Sequence, residues 1–126
     1  MTVKSEGPVV KDGKSLLTGI VGARLTSVDF VMDYLILGFD EKGALTTMMW
    51  PELYAGETTF QFGAEGYRDH LCELITPIVD SVEITAEETI AIVFTNGTRP
   101  RIPLRNGLQG EKAIFMAPKH AWHVWR

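Results

Sequence analysis

The sequence predicts an α+β fold, mostly antiparallel β built from a duplicated three-stranded meander. One clear helix is expected near residues 65–76 and a short helical turn near residues 14–20. Three observations carry this prediction. Most apolar residues recur with a period of two, the period of a pleated strand. A single segment breaks that rule: in "EGYRDHLCELI", Tyr67, Leu71, Leu74 and Ile75 fall at i, i+4, i+7 and i+8, one stripe on a helix. Finally, "VGARLTSVDFVMDYLILGFDEKGALTTM" and "ITPIVDSVEITAEETIAIVFTNGTRPRI" share one plan: strand, short break, strand, Gly turn, strand. Val28 and Phe30 correspond to Val82 and Ile84, and Gly43 corresponds to Gly97, at a constant offset.

The elements follow in chain order. Residues 1–11 read as a tail or loose element, since Gly7 and Pro8 oppose an early helix. "DGKSLLTGIVG" holds one helical turn punctuated by Gly19 and Gly22. From Leu25 the alternation begins, with Val28 and Phe30 on one face. "YLILGF" is apolar on both faces, which marks a doubly covered strand or one with an interface on its second face. "DEKG" turns into "ALTTMMW", a strand ended by Pro51, and "TTFQF" alternates again. After the helix, which Pro77 stops, come "VDSVEIT", "TIAIVFT" and "RPRIPL". Asn96-Gly97 is a hairpin signal of the type I′ kind. Pro100 and Pro103 each lack a ladder donor, so "RPRIPL" is expected at a sheet edge. "KAIFMAP" and "HAWHVW" are the last two strands. The whole reads as a single domain, 1–126, with pseudo-repeats at about 20–50 and 74–104.

Composition removes several function classes. No apolar run reaches the roughly 18 residues that span a membrane, and no apolar signal-peptide core appears near the start. The cytoplasm is the expected location. A single cysteine, Cys72, allows no intramolecular disulfide. Net charge is −4, which disfavours nucleic acid as a partner. The charge is uneven: Asp29 to Glu88 carries thirteen acids against Lys42 and Arg68, while Arg99 to Arg126 carries six bases against Glu111. Such segments make a bipolar surface unless the fold interleaves them.

No catalytic motif is present: no G-x-S-x-G, H-E-x-x-H, P-loop or G-x-G-x-x-G. No catalytic residue, cofactor or metal is therefore assigned. On a strand His120 and His123 point to opposite faces, and on the helix His70 and Cys72 lie about 200° apart. Neither pair converges on an ion. Cys72 flanks the apolar stripe and is expected to be a buried thiol. Arg99, Arg101 and Arg105 share one face of "TRPRIPLR". They serve either as charged protection of an edge strand or as an anion or partner contact, since guanidinium suits carboxylate and phosphate. Tyr34, Ile36, Trp50 and Trp125 are the interface candidates. Alternation forbids hiding both Trp122 and Trp125 on one face, so one needs a cover other than the main core.

The segment Gly22 to Pro51, with "LTSVDFVMDYLILGFDEKGALTTMMWP" and the terminal "HVW", resembles a small family of uncharacterised bacterial single-domain proteins. The shared look is a strand before an Asp-Tyr pair, an apolar strand, a Gly turn and a strand ending in Trp-Pro. Some such domains act as binding or immunity-type proteins in toxin systems. The resemblance implies a fold and a protein partner, and carries no functional residue. The expected function is a non-enzymatic protein-association module, with homodimerisation included. The alternative is a small-molecule or anion binder, or an enzyme, that uses the arginine stripe.

Overall fold

The computed structural model describes residues 16–85, 88–104 and 111–126. Among these residues ten strands form two antiparallel five-stranded sheets. Strands β1 (Leu25–Val31), β2 (Tyr34–Phe39) and β3 (Gly43–Thr47) make a meander. The hairpin of β4 (Glu52–Ala55) and β5 (Thr58–Phe60) follows, and then the helix α1 (Tyr67–Cys72). A second meander is β6 (Val79–Thr85), β7 (Thr89–Phe94) and β8 (Thr98–Pro103). The hairpin of β9 (Ala113–Met116) and β10 (Trp122–Trp125) closes the chain. A 3₁₀ turn, Thr18–Ile20, precedes β1.

Each meander is completed by the hairpin that follows the other one. The sheet orders are β1-β2-β3-β9-β10 and β5-β4-β8-β7-β6. This exchange interleaves the acidic and basic stretches of sequence: Arg101 pairs with Glu52 across β8 and β4 at 3.1 Å. The sheets also touch at one corner through backbone bonds, Gly22 N–H to Val79 O and Val79 N–H to Ala23 O. Both meanders carry an irregularity in their first strand, between Leu25 and Ser27 and between Val79 and Ser81.

The core lies between the sheets. Leu35, Leu37, Leu45, Leu53, Ile90, Ile92 and Ile102 are fully buried, as the alternation requires. Ile20 from the 3₁₀ turn and Leu17 just before it, with Leu71 and Leu74 from the helical segment, cap it. Complete burial of each such aliphatic side chain contributes about 1.5–3 kcal/mol.

Several local expectations need correction. The helix is six residues long, because bonds from Leu74 N–H to Leu71 O and from Ile75 N–H to Cys72 O tighten its end to 3₁₀ geometry. Ile75 consequently turns outward, and Cys72 is exposed rather than buried. The hairpin at Asn96-Gly97 is present, but only Gly97 takes a positive φ, of 90°. With Gly97 N–H bonded to Phe94 O, the loop is a type I turn followed by a left-handed Gly. The expected edge position of β8 is also overturned. It lies inside its sheet, with β4 on one side and β7 on the other. Pro103 stands at the end of the β7 ladder, opposite Thr89, and that ladder stops at Arg101, one residue before Pro100, which the β4 ladder places opposite Leu53. His120 belongs to a 3₁₀ turn, Pro118–His120, and the last strand begins at Trp122.

Tyr67 ties α1 to the sheet below it. Its buried hydroxyl donates to Pro51 O at 2.6 Å. Burial pushes its pKa upward from 10.0, so the folded chain holds that proton more tightly than the unfolded chain. The resulting stabilisation is complete below pH 10 and declines as pH rises above it. Tyr67→Phe is expected to cost about 1–2 kcal/mol at neutral pH, by stranding the Pro51 carbonyl, and to soften that alkaline decline. Urea unfolding of both proteins from neutral to alkaline pH checks this. Parallel pH curves would contradict it.

Candidate functional site

The two sheets present very different outer faces. In the first sheet the buried partners are Leu35, Leu37, Leu45, Ala113, Phe115 and Trp125. Alternation therefore sends Tyr34, Ile36, Ala44, Ile114, Met116, Trp122 and Val124 outward. The register places Ile36 beside Thr46, Thr46 beside Ile114, and Met116 between Ala44 and Trp122. Trp122 is 51% exposed and Met116 46%. Asp29 is the one charged strand residue on this face, and it sits on the edge strand β1.

In the second sheet the same alternation sends Glu52, Tyr54, Glu83, Ala91, Arg99 and Arg101 outward. Arg101 donates to Glu52 Oε1, and Tyr54 donates to the same oxygen at 3.0 Å. Arg99 lies over the Tyr54 ring at 5.1 Å and has no ion-pair partner among the described residues. It lines two shallow cavities, of about 190 and 390 Å³, and Glu83 lines both as well. Arg105 lies outside the described residues.

The interface candidates thus separate. Tyr34 and Ile36 lie together on the apolar outer face. Trp125 is only 7% exposed and faces the core, with His123 edge-on to it at 4.6 Å. It is Trp122 that is left exposed among the described residues. Trp50 occupies a third place, at the margin of the core. It stacks on Phe62 at 4.2 Å and lies nearly parallel to Phe30 at 6.4 Å, while Phe62 meets Tyr67 edge-on at 5.8 Å. Among the described residues no three His, Cys, Asp or Glu side chains converge as metal ligands. His70 packs on Phe60 at 4.2 Å and its Nδ1 lies 3.4 Å from Glu73 Oε1.

Met116, Trp122, Phe62 and Arg68 escaped selection from the sequence. Alternation splits Trp122 from Trp125 but cannot say which one faces out. The β9 register decides it, because Trp125 lies opposite buried Ala113 and Trp122 opposite exposed Met116. No helix among the described residues is long and apolar enough to cross a membrane. Comparison with protein-family models, curated proteins and solved structures finds no match to this chain.

Proposed function

We propose that this chain is a non-enzymatic association module that pairs with a second copy of itself through the outer face of β1-β2-β3-β9-β10. One observation supports the reading above others. Two five-stranded sheets share a strand arrangement, yet one is charged outside and the other is mostly apolar, with Asp29, Ser27 and Thr46 its polar outward residues. Apolar outward positions on a sheet against which no other described element packs expose hydrophobic area that association removes from water. The face runs about 19 Å across its strands, a width suited to a flat two-fold contact.

Sedimentation equilibrium over about 1–100 µM tests this, a range that brackets ordinary dimer affinities. A dimer is expected, with an unfolding temperature that rises with protein concentration and little response to added salt. A monomer throughout that range would sink the proposal.

The resemblance to immunity-type domains adds a version in which the partner is a basic protein met by the acidic part of the surface, where opposite charge speeds association. A further reading is favoured by Arg99, which lines two cavities and has no ion-pair partner among the described residues. It would hold an anionic group there, with Arg101 engaged by Glu52. A thermal-shift panel of phosphates and carboxylates checks this. The expected stabilisation vanishes in Arg99→Ala, and a flat panel for the parent protein would count against it. We also infer that the two meanders are a duplication. Matching strand orders support it, as do the first-strand irregularities and the paired bonds Asp40 N–H to Arg24 O and Thr95 N–H to Ile78 O.

A further inference from the structure

The rings of Phe30, Trp50 and Phe62, with Arg68 over Phe30 at 5.8 Å, pack on one another. Open space lies instead on the outer face of the second sheet, along β7. Glu83, Ala91 and Arg101 stand side by side there across β6, β7 and β8. Ser81 stands beside Val93, and Arg99 beside Tyr54. Small β7 side chains between longer ones make a trough. Ala91 points outward and is still only 6% exposed, because its neighbours overhang it. The cavities of about 190 and 390 Å³ lie along this trough: Ala91 lines the first, Val93 the second, and Glu83 and Arg99 both. Arg101 is held by Glu52 at 3.1 Å. The side chains of Arg99 and Glu83 make no hydrogen bond or ion pair among the described residues. Nor do they meet each other. Two strand spacings across and two residues along separate their backbones by roughly 12 Å, and Arg99 leans the other way, over the Tyr54 ring at 5.1 Å.

We propose that this trough binds a short peptide with both termini free, its carboxylate on Arg99 and its ammonium on Glu83. This rests on the reading of Arg99 as the holder of an anionic group. A lone anion is drawn to Arg99 but repelled by Glu83 and by Glu88, which lines the Glu83 end. A lone cation meets the reverse. A zwitterion with separated charges gains at both ends. Two or three extended residues span roughly 7–11 Å, which suits two charged groups whose side chains shorten the distance between their strands. Contact with the Tyr54 ring takes none of the Arg99 N–H groups as a hydrogen-bond acceptor would, so the guanidinium can grip a carboxylate through two parallel bonds. Ser81 and Thr85 on the β6 rim offer hydroxyls to the amide groups of the peptide.

The probe is trialanine, set against N-acetyl-trialanine, which loses the ammonium, and trialanine amide, which loses the carboxylate. Binding is followed by the Ala91 methyl resonance, assigned by its loss in Ala91→Ser. Saturable binding of trialanine is expected with a Kd on the order of 1 mM or tighter. Each blocked peptide is expected to bind roughly tenfold more weakly or worse. Arg99→Gln should weaken trialanine to the same degree and leave trialanine amide unaffected, while Glu83→Gln should weaken trialanine and leave N-acetyl-trialanine no weaker. Both side chains point outward, and unchanged thermal unfolding of the variants confirms intact folds. The proposal is overturned if trialanine leaves the Ala91 methyl unmoved, if either blocked peptide binds the parent as well as trialanine does, or if either variant binds trialanine like the parent. Equal binding of N-acetyl-trialanine and trialanine, lost in Arg99→Gln, would overturn the peptide proposal and keep Arg99 as an anion holder. No binding by either carboxylate-bearing peptide would count against both.

Discussion

Trp122→Glu is expected to hold the protein monomeric at concentrations where the proposed dimer of the parent chain forms, while leaving the fold of the single chain intact. The residue lies on the outer face beside Met116, with half of its surface exposed. Removing a well-packed tryptophan from an interface typically costs at least ~2 kcal/mol, and an unpaired carboxylate held against an apolar partner adds a desolvation penalty. A loss of roughly a hundredfold or more in dimer affinity follows. Ile36→Lys, two strands away from the Met116 strand on the same face, should act in the same direction. Arg99→Glu, on the outer face of the other sheet, should leave the dimer unchanged. Sedimentation equilibrium measures the first effect. Chemical unfolding measures the second, because an outward substitution far from the core should shift monomer stability by no more than about 0.5 kcal/mol. If Trp122→Glu and Ile36→Lys both remain dimeric, this face is not the contact.

Gly43→Ala is expected to destabilise the chain by roughly 3 kcal/mol or more, for reasons that reside in the backbone. Gly43 takes a φ of 112°, a conformation that side-chain-bearing residues rarely adopt. A Cβ there would run into the Met116 carbonyl oxygen and come within 3.0 Å of Ala117 Cα. These are backbone atoms of the neighbouring hairpin, so they cannot rotate away as a side chain could. The substitution therefore strikes the junction between β3 and β9, where the returning hairpin joins the first sheet. Gly56→Ala is the matched control: its φ is 65° and a Cβ would meet nothing within 4 Å. It should cost only about 1–2 kcal/mol, the ordinary penalty of the left-handed region. Urea titration with an unchanged slope and a lower midpoint would establish the Gly43 effect, and equal costs for the two variants would refute it.

The elements differ in how far their sequences reveal them. "YLILGF" and "TIAIVF" are recognisable as strands because alternation is a property of the backbone pleat and needs no partner. Their in-facing sets, Leu35, Leu37 and Phe39 and then Ile90, Ile92 and Phe94, are the ones the structure buries. The stripe of α1 identifies the helix but overstates its length, since the 3₁₀ end depends on how Leu74 is drawn down against the core. For β8, the proline argument correctly locates missing donors and wrongly concludes an edge. A ladder can end between two prolines and the strand still have two neighbours. The two-sided apolar character of "YLILGF" points at Tyr34 and Ile36. The remainder of that face could not be collected from the sequence, because Met116, Trp122 and Val124 arrive from a hairpin some eighty residues later.

By itself the sequence determines most of the strands, which segment is the helix, and which alternate residues share a face; β4, Glu52–Ala55, is too short to show in the alternation. These follow from local periodicity, which each stretch of chain carries within itself. The tertiary structure alone decides which face meets the core and which meets water. It also decides that the two hairpins exchange sheets, that Trp125 is buried and Trp122 is not, and that Phe30, Trp50, Phe62 and Arg68 come together. These depend on pairing between strands distant in the chain, and a shift of one residue in such a pairing would turn every side chain on the strand to the opposite face.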